Sequence, residues 1–193
     1  MDISKEPCVY LLRDLIQYNT TNNPSEGIYP DKDIIPFIRE FVREWIPSFR
    51  GKIFTKDKYY SIYLTNDLTK PCDILFMGHL DVVPTSKGWN SDPFTLTVKE
   101  NKFGFGRGSK DCKGSVVSSM LFLRNFSRRI SDDKSSNKVG LFLSTDEETG
   151  GEYGAKYFFN YVAKNELAPK YVINVDGGPK VIYKRRAGFK LSF

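Results

Sequence analysis

The sequence has a single histidine, His79, and only three cysteines. Cys8, Cys72 and Cys112 are odd in number and far apart, which favours reduced thiols over a disulfide framework or a cysteine-rich zinc site. Because there is one histidine in the whole chain, the stretch that contains it is the first candidate for a functional site.

Long apolar runs and recognised nucleic-acid motifs are also missing. No run approaches the length of a membrane span, and the first six residues lack the charged-then-apolar order of a signal peptide, so we expect a cytoplasmic protein. The net charge of +6 comes from basic residues spread along the chain. It favours a solvated basic surface that could attract an anionic small substrate, rather than a nucleic-acid partner.

What is present is the composition of a folded domain. The chain has 193 residues, of which 40% are hydrophobic and 15% aromatic, enough for one good core. Helical spacing predicts helices near 9–16, 33–45, 114–130 and 155–162. Strand patterns lie at 53–55, 59–65, 73–77, 94–98, 139–143 and 171–175, the last as a core strand. This alternation predicts an α/β fold, with a largely parallel sheet covered by helices on both faces.

His79 and Asp81 follow the short apolar run at 73–77, which predicts a buried strand. Ligands of open α/β sheets bind at the carboxyl ends of strands, and residues two apart in an extended chain point the same way. Asp81 is therefore placed to orient His79, as a carboxylate does for a metal-binding histidine. The alternative is a core histidine satisfied by a nearby acid, and this stretch alone slightly favours that alternative.

Acidic side chains follow other predicted elements. Glu147 and Glu148 come after the strand at 139–143, Asp176 ends the last strand, and Asp111 follows a glycine-rich segment. Each alone has an ordinary explanation as a solvated pair, a turn or a helix cap. Their repeated position, after buried strands or a glycine-rich loop, favours a site.

With His79, three of these acids form a nitrogen-and-oxygen ligand set without sulfur: Asp111, Glu148 and Asp176. Such a set suits zinc, cobalt or manganese. Two ions bridged by a carboxylate can activate water and polarise a carbonyl for amide hydrolysis. Glu147 is then the candidate for the base that takes the proton of the water. A Cys112 nucleophile is the weaker interpretation, because the only histidine is better explained as a ligand.

Four motifs stand in order along the chain: GHLDVVP at 78–84, GW at 88–89 with DPF at 92–94, GRGSKDCKG at 106–114, and DEETG at 146–150. In this order they resemble the zinc-dependent aminoacylase and exopeptidase family, which includes acetylornithine deacetylase, succinyl-diaminopimelate desuccinylase and glutamate carboxypeptidase. The resemblance implies a three-layer fold with a mixed, mostly parallel sheet. It also implies a dinuclear metallohydrolase of amino-acid biosynthesis that cleaves N-acyl amino acids or small peptides.

The resemblance also implies a role for each site residue. His79 and Asp176 bind one zinc ion, Asp111 bridges, and Glu148 binds the second ion; cobalt or manganese could replace zinc. Glu147 is the general base, and Asp81 supports the ligands. The peptide bond that follows the bridging aspartate, here between Asp111 and Cys112, is implied to be cis.

Two departures from the family pattern limit this expectation. Cys112 replaces the usual methionine. In the family, a histidine from near the end of a longer chain binds the second ion, and this sequence has no second histidine. We therefore expect an incomplete fold: residues 1–182 form the first segment of the catalytic domain, and 183–193 begin the connection to an absent lid and dimerisation domain. The longer protein is expected to be a homodimer. A catalytically incompetent remnant that binds metal or ligand is the alternative, and nucleic-acid binding is a distant third.

Overall fold

A computed structural model describes residues 5–130 and 137–177. The elements of these ranges, in chain order, are α1 Pro7–Ile16, α2 Ile34–Trp45, β1 Arg50–Lys56, β2 Tyr59–Thr65, β3 Ile74–His79, β4 Thr97–Lys99, β5 Phe103–Phe105, α3 Lys113–Ile130, β6 Val139–Ser144, α4 Ala155–Lys164 and β7 Tyr171–Asn174. Short 3₁₀ turns lie at Pro24–Glu26 and Glu147–Thr149. The predicted α/β class is confirmed.

The main sheet has the strand order β1-β2-β6-β3-β7, and β4 and β5 form a separate hairpin. β3 lies between β6 and β7 and runs parallel to both, whereas β2 is antiparallel to β1 and to β6. The sheet is therefore mixed, and its parallel part consists of β6, β3 and β7. Because parallel strands end at the same edge, the segments that follow β6 and β7 reach the level of His79.

Side-chain alternation along the strands builds two cores, one on each face of the sheet. Leu141 and Leu143 of β6 join the core under α1, α2 and α3. Phe142 points to the opposite face and stacks on Phe158 of α4, with the ring centroids 4.1 Å apart. Helices therefore cover both faces, which confirms the expected three layers.

Three strands differ from their predicted form. β5 at Phe103–Phe105 lies where no strand was predicted, and it forms by pairing with β4. The strand predicted at 94–98 begins only at Thr97, because the carboxylate of Asp92 binds the backbone N–H of Phe94 and the hydroxyl of Thr95 and holds them in a turn. β7 was predicted as a core strand, but Tyr171 is 61% exposed. The reason is its position: among the described residues it pairs on one side only, with β3.

In the described part of the chain, every helix is too short or too polar to cross a membrane. Residues 183–193, predicted to begin the connection to a further domain, lie outside the described residues. The predicted boundary at 182 lies outside them as well and stays a prediction.

Candidate metal centre

The His79 imidazole is the point on which the acidic side chains converge. It ends β3 and is 1% exposed. Its Nε2 lies 2.9 Å from Asp111 Oδ1, 3.8 Å from Asp176 Oδ2 and 4.0 Å from Glu147 Oε2. One buried nitrogen therefore faces three carboxylates that come from three different segments of the chain.

The possible ligand atoms form two groups. Those of His79, Asp111 and Glu148 lie within 4.8 Å of one another, and so do those of His79, Glu147 and Asp176. Every predicted ligand is thus brought to one place, together with Glu147. The grouping differs from the one implied by the family resemblance, in which Asp176 shares an ion with His79 and Asp111. Which carboxylates share an ion remains a prediction.

Asp111 is carried by the loop that leads into α3. Gly108 turns this loop with a φ of +81°, a conformation that favours glycine, and its carbonyl oxygen accepts a hydrogen bond from the Lys113 N–H. The peptide bond between Asp111 and Cys112 is cis, as the resemblance implies. The Asp111 side chain is 65% exposed and reaches His79 from the solvent side.

Cys112 lies on the buried side of the same loop. Its Sγ accepts a hydrogen bond from the His79 N–H and donates one to the His79 carbonyl oxygen, both at 3.2 Å. The thiol is 1% exposed. Cys112 therefore holds the end of β3 in place and is not available as a nucleophile.

Glu147 and Glu148 open the 3₁₀ turn after β6, and Asp81 holds this turn. The backbone N–H groups of Glu147 and Glu148 donate to Asp81 Oδ1 at 3.1 Å and to Asp81 Oδ2 at 3.0 Å. Asp81 is fully buried. One carboxylate therefore fixes the backbone from which both glutamate side chains extend.

Asp81 supports His79 differently from the predicted arrangement. The Nδ1 of His79 lies 3.0 Å from the main-chain carbonyl oxygen of Asp81 and 3.5 Å from its Oδ1. The carboxylate is occupied instead by the two N–H groups of the turn and by Asn22 Nδ2, at 2.8 Å. Asp81 thus orients the histidine mainly through its backbone and the glutamates through its side chain.

Negative charge is concentrated around this single imidazole. Burial lowers the pKa of His79, but its hydrogen bonds with Asp81 and Cys112 and the charge of Asp81 outweigh burial and raise the pKa to about 12. Burial raises the pKa of Glu147 and of Glu148; the charge of His79 opposes this, and the neighbouring carboxylates add to it. The carboxylates repel one another, and a divalent cation would reduce this repulsion. The residues present therefore fit a metal ion.

Asp146, the first acid of the same run, points away from the site. Its Oδ2 accepts hydrogen bonds from the N–H groups of Tyr153 and Gly154, at 2.7 and 2.8 Å, and burial raises its pKa. A Cβ on Gly154 would lie 2.0 Å from Asp146 Oδ1, so the close approach requires glycine. Asp146 ties the turn to the start of α4.

The sequence pattern did not indicate two buried polar residues near the site. Asn22 lies between α1 and α2, yet its Nδ2 donates a hydrogen bond to Asp81 Oδ2. Lys113 is fully buried, and its Nζ donates to the carbonyl oxygens of Leu15 and Tyr18 at 2.9 and 3.0 Å, which ties α3 to the end of α1. Burial lowers the pKa of Lys113 to about 7. Neither contact has a local signal, because the partners are distant in sequence.

A cavity of about 200 Å³ opens beside His79 and Glu147. Its other walls include Met77, Gly151 and Asp176. A small polar substrate group has room next to the imidazole and the carboxylates.

Residues 75–185 match the sequence model of the peptidase family M20/M25/M40. The succinyl-diaminopimelate desuccinylase of Helicobacter pylori (strain P12) is 36% identical over 178 residues, which cover 84% of this chain and 42% of that protein. The enzyme of the same name from Nautilia profundicola is 28% identical over 134 residues, 69% of this chain and 35% of that protein. The chain thus spans less than half the length of these relatives.

The fold is similar to that of an M20 family metallo-carboxypeptidase from Sulfolobus solfataricus. The TM-score is 0.72 at 17% sequence identity, and the match covers 90% of this chain and 38% of that one. At this identity the likeness concerns the fold.

Proposed function

This chain belongs to the peptidase family M20/M25/M40, and on that premise we propose that it carries the main part of the catalytic centre of a metal-dependent amide hydrolase. The substrates are N-acyl amino acids or small peptides. The observation that carries the proposal is the buried Nε2 of His79, which has three carboxylate oxygens within 4.0 Å. Relatives named as desuccinylases support this substrate class.

The proposed ligands are His79, Asp111, Glu148 and Asp176, for up to two divalent ions. Their nitrogen and oxygen donors suit zinc, and cobalt or manganese as substitutes. Bound there, such ions supply Lewis-acid chemistry, lowering the pKa of a water and polarising the amide carbonyl.

Glu147 is the proposed general base. Its side chain is 52% exposed beside the cavity, so it can reach a water molecule and the leaving nitrogen. Its raised pKa brings the carboxylate nearer to the working pH, which favours proton transfer in both directions. We propose that it takes the proton of the attacking water and delivers it to the leaving amine, while Asp81 holds its backbone.

We further propose that residues 1–182 are the first segment of a longer catalytic domain and that 183–193 begin the connection to a lid and dimerisation domain. The longer protein, a homodimer, would supply a second histidine to the metal centre. The shares of 35% and 42% of the relatives' lengths support this. The exposed apolar side chains of Tyr171, Val172 and Ile173 on β7 are consistent with further strands beside them.

Turnover measurements test the proposal. The purified chain, with and without the segment encoded downstream of Phe193 as a separate chain, is assayed on N-succinyl and N-acetyl amino acids and on dipeptides, with zinc, cobalt or manganese. We expect little hydrolysis by the chain alone, and both activity and reduced self-association once the downstream segment is added. Efficient hydrolysis by the monomeric 193-residue chain would contradict the fragment proposal.

A metal- or ligand-binding remnant without catalysis is the second candidate, favoured by the single histidine. Binding alone does not require a base in the position of Glu147, which argues for catalytic ancestry. If the completed complex binds two ions and hydrolyses none of these substrates, the remnant is the correct interpretation.

A further inference from the structure

Asn22 is a buried polar residue whose side chain reaches the metal centre from the loop after α1. It is 4% exposed. Its Nδ2 donates to Asp81 Oδ2 at 2.8 Å and to Thr149 Oγ1 at 3.1 Å, and its Oδ1 accepts a hydrogen bond from the Tyr59 hydroxyl at 3.3 Å. The amide group therefore connects the segment after β3, the turn after β6 and the start of β2.

The backbone on either side of Asn22 fixes the position of this amide. The Asn22 N–H donates to the carbonyl oxygen of Val82 at 2.9 Å, and the Val82 N–H donates to the carbonyl oxygen of Thr20 at 3.0 Å. The Thr20 hydroxyl donates to the Leu80 carbonyl oxygen at 2.6 Å. Residues 20–22 thus lie alongside residues 80–82 as a short extended pair, and the Asn22 side chain is directed at Asp81.

Within the described residues, the Asp81 carboxylate accepts three N–H groups, from Asn22, Glu147 and Glu148. Several N–H donors on its two oxygens restrict the rotation of a carboxylate. Without the Asn22 amide, Oδ2 would lose a donor, and the carboxylate could rotate toward His79 Nδ1, which lies 3.5 Å from Oδ1. The N–H groups of the turn would then lose their alignment.

We propose that Asn22 is a positioning residue of the metal centre, which acts through Asp81. By holding that carboxylate, it sets the direction of the turn that carries Glu147 and Glu148. Its effect on metal affinity rests on the proposed function, whereas its effect on the turn is a property of the metal-free chain. The two effects can therefore be measured separately.

Amide hydrogen exchange in the metal-free chain tests the first effect. In Asn22→Ala, the N–H groups of Glu147 and Glu148 should exchange about tenfold faster or more, because their acceptor is no longer held. The amide of Val42 in α2 should change little, which separates a local effect from general loss of stability. Asn23→Ala is the matched control, since Asn23 Oδ1 accepts a hydrogen bond from the Ser25 hydroxyl at the surface. Equal exchange in the two variants would overturn the proposal.

Zinc titration by calorimetry tests the second effect. We expect Asn22→Ala to bind zinc about tenfold more weakly than the unmodified chain, at the lower end of the cost of losing a direct partner of a ligand, because Asn22 acts through Asp81. Asn23→Ala should bind normally. An unmodified chain that binds no divalent ion would contradict the proposed function, and the exchange measurement would still decide the role of Asn22.

If Asn22→Ala does not fold, Tyr59→Phe replaces it in both measurements. This variant removes only the hydroxyl that orients the Asn22 amide, so the expected effect is smaller.

Discussion

The candidate metal centre has two regions of different character. Its floor, which we define as Asn22, His79 and Asp81, is at most 4% exposed, and each side chain has hydrogen-bond partners from the fold itself. Its rim, Asp111, Glu147 and Asp176, has side chains that are 65%, 52% and 32% exposed. Folding alone therefore organises the floor, whereas the rim carboxylates repel one another, and a bound cation would reduce this repulsion.

This difference predicts that substitutions in the floor and in the rim have different effects on stability and on metal binding. A change in the floor should reduce stability and metal affinity together, because a buried polar group loses its partners. A change in the rim should alter chemistry or metal binding and leave folding almost unaffected. The following predictions test this separation, beginning with the largest effect.

The largest effect is expected for a rim residue that does chemistry. In a complex of this chain with its downstream segment that hydrolyses an N-acyl amino acid, Glu147→Gln keeps the shape of the side chain and removes the base. Turnover should fall by roughly 10²–10⁴, the usual contribution of a positioned proton-transfer group. Metal content, measured by atomic absorption, should stay the same. Loss of metal from this variant would mean that the roles of Glu147 and Glu148 must be exchanged.

The next effect concerns the floor residue that is the proposed nitrogen ligand. His79→Ala removes the only imidazole of the chain, and zinc affinity should fall by more than about 100-fold, since even a partner of a ligand contributes about 10- to 100-fold. Calorimetric titration measures this, and the unfolding midpoint of the metal-free variant shows how much of the loss is structural. Undiminished binding would remove His79 from the proposed ligand set.

The zinc titration of the unmodified chain carries a related expectation. The resemblance assigns three ligands to one ion, and the other ion has only Asp111 and Glu148 within this chain. Two equally tight sites on the monomer would therefore contradict the assignment, since a closed zinc site has four ligands.

The smallest effect compares one aspartate from each region. Asp81→Ala removes a fully buried carboxylate that accepts one buried and two partly buried N–H groups, so the free energy of unfolding of the metal-free chain should fall by about 2–3 kcal/mol. Asp176→Ala, at the rim, should change it by about 0.5 kcal/mol or less. Urea unfolding of the two variants measures the difference. Equal losses would show that the separation into floor and rim is wrong.

Much of the fold could be predicted from local pattern. Alternating and helical spacing located the strands and helices within a few residues, because the burial of a side chain follows from the periodicity of its own element. The exceptions depend on what lies beside an element. Asp92 binds Phe94 and Thr95 in a turn and shortens the predicted strand at 94–98, and β7 is exposed because of its place in the sheet.

The candidate site shows the same division. The ends of predicted elements and the family resemblance pointed to His79, Asp111, Glu148 and Asp176 together with Glu147, and the structure brings all five together. Asn22 was not predicted as a site residue. Its contact with Asp81 joins residues that are 59 positions apart, and the sequence around Asn22 does not indicate such a contact.

The donors of the centre can be identified from the sequence alone: one imidazole and a set of carboxylates, placed after strands or a glycine-rich loop. Which group each donor serves depends on the fold. Asp81 holds the glutamate turn with its carboxylate and His79 with its backbone, because β6 pairs in parallel beside β3 and brings the N–H groups of Glu147 and Glu148 against it. A buried carboxylate takes the donors that surround it, and those come from segments far apart in the chain.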